Sequence, residues 1–333
     1  LDTPAGPRRS LHRLAVAAAV APWAARTRTA AAQATEGDPG AFRPTNGFVI
    51  EPSLLPAGSI VRGGPPRDGI PALDAPRVEP ARSSRLRADD RVLGLAAGGA
   101  ARAYPVRILN WHEVVNDRIA GEPAAVTYCP LCGSGVTFSS KVGERVLTFG
   151  VSGLLYDSDL LLYDRQTESL WSQLKFQAVT GPLIGTRLAR LPAEHTTWAA
   201  WRRDHPGTEV LSFDTGHVRD YGRDPYAGYE RDPATLFPVS VNDPRLPAKA
   251  WVVGVSLGGA AKAYPFDELA RTGGTVRDTV AGRPVVVRYD PAARAARVED
   301  GGGRALPSVT AFWFAWATFN PGTALFRADA PPR

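Results

Sequence analysis

The stretch "RVLGLAAGGAARAYP", Arg91 to Pro105, recurs as "WVVGVSLGGAAKAYP", Trp251 to Pro265. The first copy reads as a strand at Val92–Leu95, a Gly98-Gly99 hairpin turn and a return strand at Ala100–Tyr104. The likeness continues downstream. "VVNDRIAGEPAAVTYC", Val114 to Cys129, matches "TVRDTVAGRPVVVRYD", Thr275 to Asp290. Trp198, Trp201 and Pro206-Gly207-Thr208 match Trp313, Trp316 and Pro321-Gly322-Thr323. Three matches in one order indicate an internal duplication. The expected fold is α+β, mostly antiparallel sheet with short helices, in two homologous units. The first unit spans 85–213 and the second, degenerate unit 245–328. A polar bridging segment, 214–244, joins them, and a Pro/Gly-rich segment, 35–84, precedes them.

Composition supports this organisation. The chain has 333 residues, 44% hydrophobic and 22% charged, enough to bury a core. Its 33 Gly and 30 Pro argue for many turns and against a helical bundle. Two Cys and five His exclude haem arrays, multi-metal clusters and disulfide-dense scaffolds.

Residues 1–34 have the order of an export signal. Arg8, Arg9 and Arg13 precede an apolar run, Leu14 to Ala25, and a small-x-small site at Ala32-Gln33-Ala34. The arginine pair resembles a twin-arginine signal. The expected location is periplasmic or extracellular, with no stable transmembrane span in the mature chain. This segment holds five Arg and one acid, and so supplies most of the formal net charge of +6. The basic balance therefore gives no reason to expect nucleic acid. The expected partner is a small molecule or an envelope component.

Comparing the copies separates scaffold from chemistry. Gly98-Gly99, Tyr104-Pro105, Asp117, Gly121, Pro123 and the Trp pair are shared. Cys129 and Cys132 become Asp290 and Ala293. His112 and Glu113 become Gly273 and Gly274. The first copy alone carries a long insertion that includes "FGVSGLLYDSDLLLYDRQTESLWSQ", Phe149 to Gln173. The chemistry is therefore expected in the first unit.

"YCPLCG" admits three readings. A tight turn can aim two thiolates at one ion, Zn or Cu(I), with His112 as a further metal ligand and a carboxylate as the fourth. The pair can exchange disulfides, although "GSGVTFSS" is a poor helix to lower a thiol pKa. It can also be an inert disulfide of an exported protein. Residues Ile108–Val115 read as a short helix, which would put His112 and Asn116 on one face. The insertion sets Ser152, Tyr156, Asp157, Asp159, Tyr163, Asp164, Arg165, Trp171 and Gln173 among leucines, as in pocket-lining loops.

These segments resemble the DUF3179 family, a domain of unknown function in bacteria and archaea. The resemblance lies in "DGIPALDAP", "AYPVRILNWHEVVND", "VTYCPLCGSGVTF", the insertion, "TTWAAWRRDHPGTEVLS" and "FWFAWATFNPGT", over roughly residues 60–328. It implies His112, Glu113, Asn116, Asp117, Cys129, Cys132, Ser152, Tyr156, Asp164, Trp171 and Gln173 as candidate positions, but no reaction.

The resulting expectation is a thiolate-centred metal site at Cys129, Cys132 and His112. In an enzyme, Glu113 or Asp117 would handle protons and Arg165 would hold an anionic group. Asn116, Ser152, Tyr156, Asp164, Trp171 and Gln173 would line the pocket. The alternatives are a non-catalytic envelope scaffold with a structural Cys pair, and a thiol-disulfide oxidoreductase.

Overall fold

In the computed structural model, residues 45–328 and the single residue Leu1 are described. The export segment therefore lies outside the described residues, apart from Leu1. Residues 45–328 form one compact unit.

The architecture overturns the α+β expectation. Strand accounts for 41% and helix for 11%, and the sheets are arranged as a five-bladed β-propeller. The first blade orders Ala193–Thr197, Arg91–Ala97, Ala100–Pro105, Glu209–Leu211 and Val78–Pro80. The second orders Arg190–Leu191, Ser134–Ser139, Glu122–Cys129, Val114–Ile119 and Leu73–Asp74. The third orders Ile60–Arg62, Phe149–Tyr156, Asp159–Asp164, Leu170–Ser172 and Gln177–Ala178. The fourth orders Val309–Phe312, Trp251–Leu257, Ala260–Pro265 and Ala324–Leu325. The fifth holds Thr275–Val280, Arg283–Asp290 and Ala295–Asp300. Helices remain short because turn residues and β-branched runs stop them. Val106–His112 has seven residues. It ends where Glu113 turns left-handed, at φ 58°, and Val114-Val115 start the next strand. Asn116 is thus a strand residue and shares no helix face with His112.

The two copies fold alike at their shared positions. Gly94 lies under the Trp201 ring and Gly254 under the Trp316 ring, so close that a Cβ at either glycine would collide with the indole. Trp201 Nε1 donates to Thr208 Oγ1 and Trp316 Nε1 to Thr323 Oγ1, both at 2.9 Å. Tyr104 donates to Asp117 at 2.7 Å, and Tyr264 to Asp278 at 3.0 Å. Arg102 pairs with Asp117 and Lys262 with Asp278, both at 2.6 Å.

The insertion forms most of a blade rather than a loop. Phe149–Tyr156 and Asp159–Asp164 pair antiparallel. Asp157 and Ser158 both have positive φ, 51° and 63°, the turn that matches the strand twist of a hairpin. Trp171 and Phe149 are fully buried with Phe138 and Trp313 in the largest core cluster. Truncating such a Trp costs about 3–5 kcal/mol. Cys129 and Cys132 sit in the same cluster.

Candidate metal centre

Glu122–Cys129 ends at Cys129, and Ser134–Ser139 returns beside it, with Cys129 opposite Ser134. The intervening turn closes through Cys132 N to Cys129 O, 3.2 Å. Gly133 takes φ +61°, and a Cβ there would stand 2.7 Å from the Trp251 ring, so only glycine fits. Both thiols are buried, Cys129 at 1% and Cys132 at 0% exposure.

The tip of the third blade meets them. Ser158 O lies 3.7 Å from Cys129 Sγ and 3.4 Å from Cys132 Sγ, and each thiol donates to it. The next residue, Asp159, is fully buried. One of its carboxylate oxygens and the two sulphurs all lie within 4.8 Å of one another. Asp159 Oδ2 accepts from Leu174 N at 3.0 Å, but Oδ1 has no partner apart from the neighbouring thiols. The segment 214–244 pins this tip: Ser158 Oγ donates to Phe237 O at 2.9 Å and Ser240 N to Asp157 Oδ1 at 2.7 Å. Lys249 Nζ organises the same segment through the carbonyls of Tyr229, Asp232 and Ala234, at 2.6–2.8 Å.

The electrostatics are one-sided. Burial pushes both thiols above their ordinary pKa. Burial also raises Asp159 to about 7. Glu113 is raised to about 8, chiefly by burial and then by the charge of Asp159. Glu113 is also a non-glycine residue held at positive φ, where the second copy has Gly274 at φ 90°. Such strain is retained where the surroundings over-determine it, and functional sites are where it gathers.

His112 does not join the sulphur cluster. It is buried, with Nδ1 2.7 Å from Pro71 O and Nε2 2.6 Å from Tyr221 Oη. Burial lowers its pKa to about 4, so it is neutral at pH 7. Asp117 is held by Tyr104 and Arg102, as its counterpart Asp278 is held by Tyr264 and Lys262. Arg165 pairs with half-exposed Asp74 at 2.6 Å. Asn116 staples two blades, donating to Phe149 O and accepting from Phe149 N, both at 2.8 Å. Ser152 donates to Leu161 O and accepts from Leu154 N across the bulge in its strand. Asp164 accepts from Thr167 N at 2.7 Å and Trp171 Nε1 at 2.9 Å. Tyr156 is half-buried against Phe319. Gln173 bonds the cysteine hairpin through its side chain, to Ser134 Oγ at 2.7 Å and Thr127 Oγ1 at 3.0 Å.

Asp159 is the residue that the sequence does not single out. "YDSDLLLYD" offers three aspartates, and only the hairpin tells them apart. Asp157 and Asp164 bond neighbouring backbone, whereas Asp159 faces the thiols.

The fold and cluster define the class: a β-propeller with a buried two-thiol, one-carboxylate site. The chain matches the family described as protein of unknown function (DUF3179) over residues 67–303 and belongs to it. No curated protein and no solved structure matches it.

Among the described residues, no helix is long and apolar enough to cross a membrane.

Proposed function

We infer that Cys129, Cys132 and Asp159 bind one transition-metal ion, and that the protein is a metal-dependent enzyme acting outside the cytoplasm. The observation that carries the reading is the cluster itself. Three donors converge within 4.8 Å, and one carboxylate oxygen of Asp159 has no donor beside it other than the two thiols. Buried acids are normally paired with a base. Here no Lys or Arg among the described residues bonds Asp159, and all three donors are pushed towards the protonated form. A bound cation inverts that logic, because coordination favours thiolate and carboxylate.

The donor set favours Zn(II) over Cu(I). Cu(I) selects sulphur, whereas zinc accepts sulphur and carboxylate oxygen together. Three protein donors leave a fourth position, the pattern of catalytic rather than structural zinc. Zinc there would polarise a substrate oxygen or water. Glu113 is the neighbouring acid suited to carry the proton, and Gln173 fixes the hairpin that bears the thiols. Disulfide exchange fits less well, since it needs an accessible thiolate of lowered pKa.

The test is elemental analysis and competitive zinc titration of protein purified without oxygen. One zinc per chain is expected. Asp159→Asn should weaken zinc by at least tenfold, and Cys129→Ser with Cys132→Ser should abolish it. A chain that binds zinc equally well without both sulphurs would reject the reading.

A further inference from the structure

A cavity of about 350 Å³ lies between the two copies. Its walls come from equivalent positions. Arg91 pairs with Thr197 in the first copy as Trp251 pairs with Phe312 in the second. All four line the cavity, with Phe266 beside them. The same positions thus carry polar groups on one side and aromatic rings on the other. Trp251 lies 4.5 Å from Phe312 and 6.4 Å from Phe266, centroid to centroid.

His195 also lines the cavity. It is 3% exposed, yet neither ring nitrogen has a hydrogen-bond partner among the described residues. A neutral imidazole carries one donor and one acceptor, and buried polar groups are almost always satisfied. The edges of Tyr128 and Trp251 flank the ring, with centroids at 5.8 and 5.6 Å. Arg91 stands next to it. Its guanidinium donates to His195 O at 2.8 Å and to the carbonyls of Ala293 and Arg294, which fixes its plane across both copies. It bonds no carboxylate among the described residues, and two of its five N–H groups are left over. The acids in the lining, Asp89, Asp224 and Glu230, are exposed, where water and salt screen them. Glu230 already accepts from Trp251 Nε1 at 2.8 Å, and Asp224 from Asn110 at 3.0 Å.

We propose that this cavity binds a small monocarboxylate with an apolar body. Its carboxylate meets Arg91 and His195, and its body lies against Trp251, Phe266 and Phe312. The charged head satisfies the unpartnered imidazole and guanidinium donors. The volume suits a ligand at the small end of the usual range. The site stands on these residues whether or not an ion occupies the cysteine cluster.

The experiment titrates the full chain with 3-phenylpropionate by calorimetry, with 3-phenylpropanol and propionate as controls. One-to-one binding of the aromatic acid is expected, at least tenfold tighter than either control. His195→Leu should keep the thermal midpoint, because the ring nitrogens bond nothing, and should lose at least tenfold in affinity. Arg91→Gln should lose at least as much, read beside its circular dichroism. Equal affinity for acid and alcohol, no binding of the acid, or unchanged binding by the folded His195→Leu chain would overturn the proposal. Retained zinc in that variant keeps the outcome separate from that of the metal site.

Discussion

The turn Cys129–Cys132 and its counterpart Asp290–Ala293 share one scaffold and differ in chemistry. Each follows an eight-residue strand paired to its neighbour in the same register. In the second copy, Asp290 Oδ1 caps its own turn by accepting from Ala293 N at 3.0 Å. In the first, the two side chains point at Ser158 O and lie beside Asp159. The second copy also has glycine where Glu113 is strained. A duplicated turn that spends its side chain on capping is structural. The other buries two thiols beside a carboxylate with no basic partner among the described residues, which costs stability as long as nothing else pairs with it.

The shared scaffold can be broken symmetrically. Gly94→Ala and Gly254→Ala each drive a methyl into an indole ring, so both should lose about 3 kcal/mol or more, the upper end for overpacking. Urea unfolding of the two variants checks this, and a loss at only one of them would contradict a common geometry. Asp117→Asn and Asp278→Asn should each cost about 1.5–3 kcal/mol, the range for hydrogen bonds to a charged group. Zinc content should be unchanged in both, which separates Asp117 from the site.

The asymmetry can be sharpened in the opposite direction. Glu113→Gly gives the first copy the residue of the second. It removes a left-handed glutamate and a buried carboxyl, so the metal-free protein should gain about 1–2 kcal/mol. Thermal unfolding reads the gain, and a lowered midpoint would show that Glu113 is not strained. pH provides a gentler probe. Glu113 and Asp159 bind protons more tightly folded than unfolded, since burial raises them to about 8 and about 7. Below about 6.5 the buried neutral His112 and His195 act in the opposite direction, so the loss of stability of the metal-free protein should show as pH rises from about 6.5 to about 8, by up to roughly 1.4 kcal/mol for each tenfold gain in proton affinity on folding. The zinc-loaded protein should show a shallower decline, and Glu113→Gln should flatten it further in the metal-free chain. A stability that rises across this window, with Glu113 and Asp159 intact, would contradict their burial as acids.

Much of this scaffold is legible in the sequence. The hairpin at Gly98-Gly99, the paired Trp residues and the cysteine turn follow from repetition and turn chemistry. The fold class does not follow. Short helical stretches such as Val106–His112 look the same in an α+β domain and between the blades of a propeller, and blade closure is a long-range property. The insertion reads as a decorated loop because its polar residues alternate with leucine. In the structure those residues satisfy blade backbone and a core indole: Ser152 in its bulge, Asp164 under Trp171. His112 reads as a ligand because the second copy lacks it, yet Pro71 and Tyr221 occupy both of its nitrogens. Losing a residue from one copy marks a difference between the copies, but not what that residue touches. The thiols are legible as a spacing. Asp159, thirty residues away in sequence from Cys129, reaches them only through the third blade.

The most direct measurement is zinc K-edge X-ray absorption on the zinc-loaded chain. Two sulphur neighbours at about 2.3 Å and oxygen at about 2.0–2.2 Å are expected, with an oxygen shell altered in Asp159→Asn. A first shell of nitrogen and oxygen alone would contradict the account.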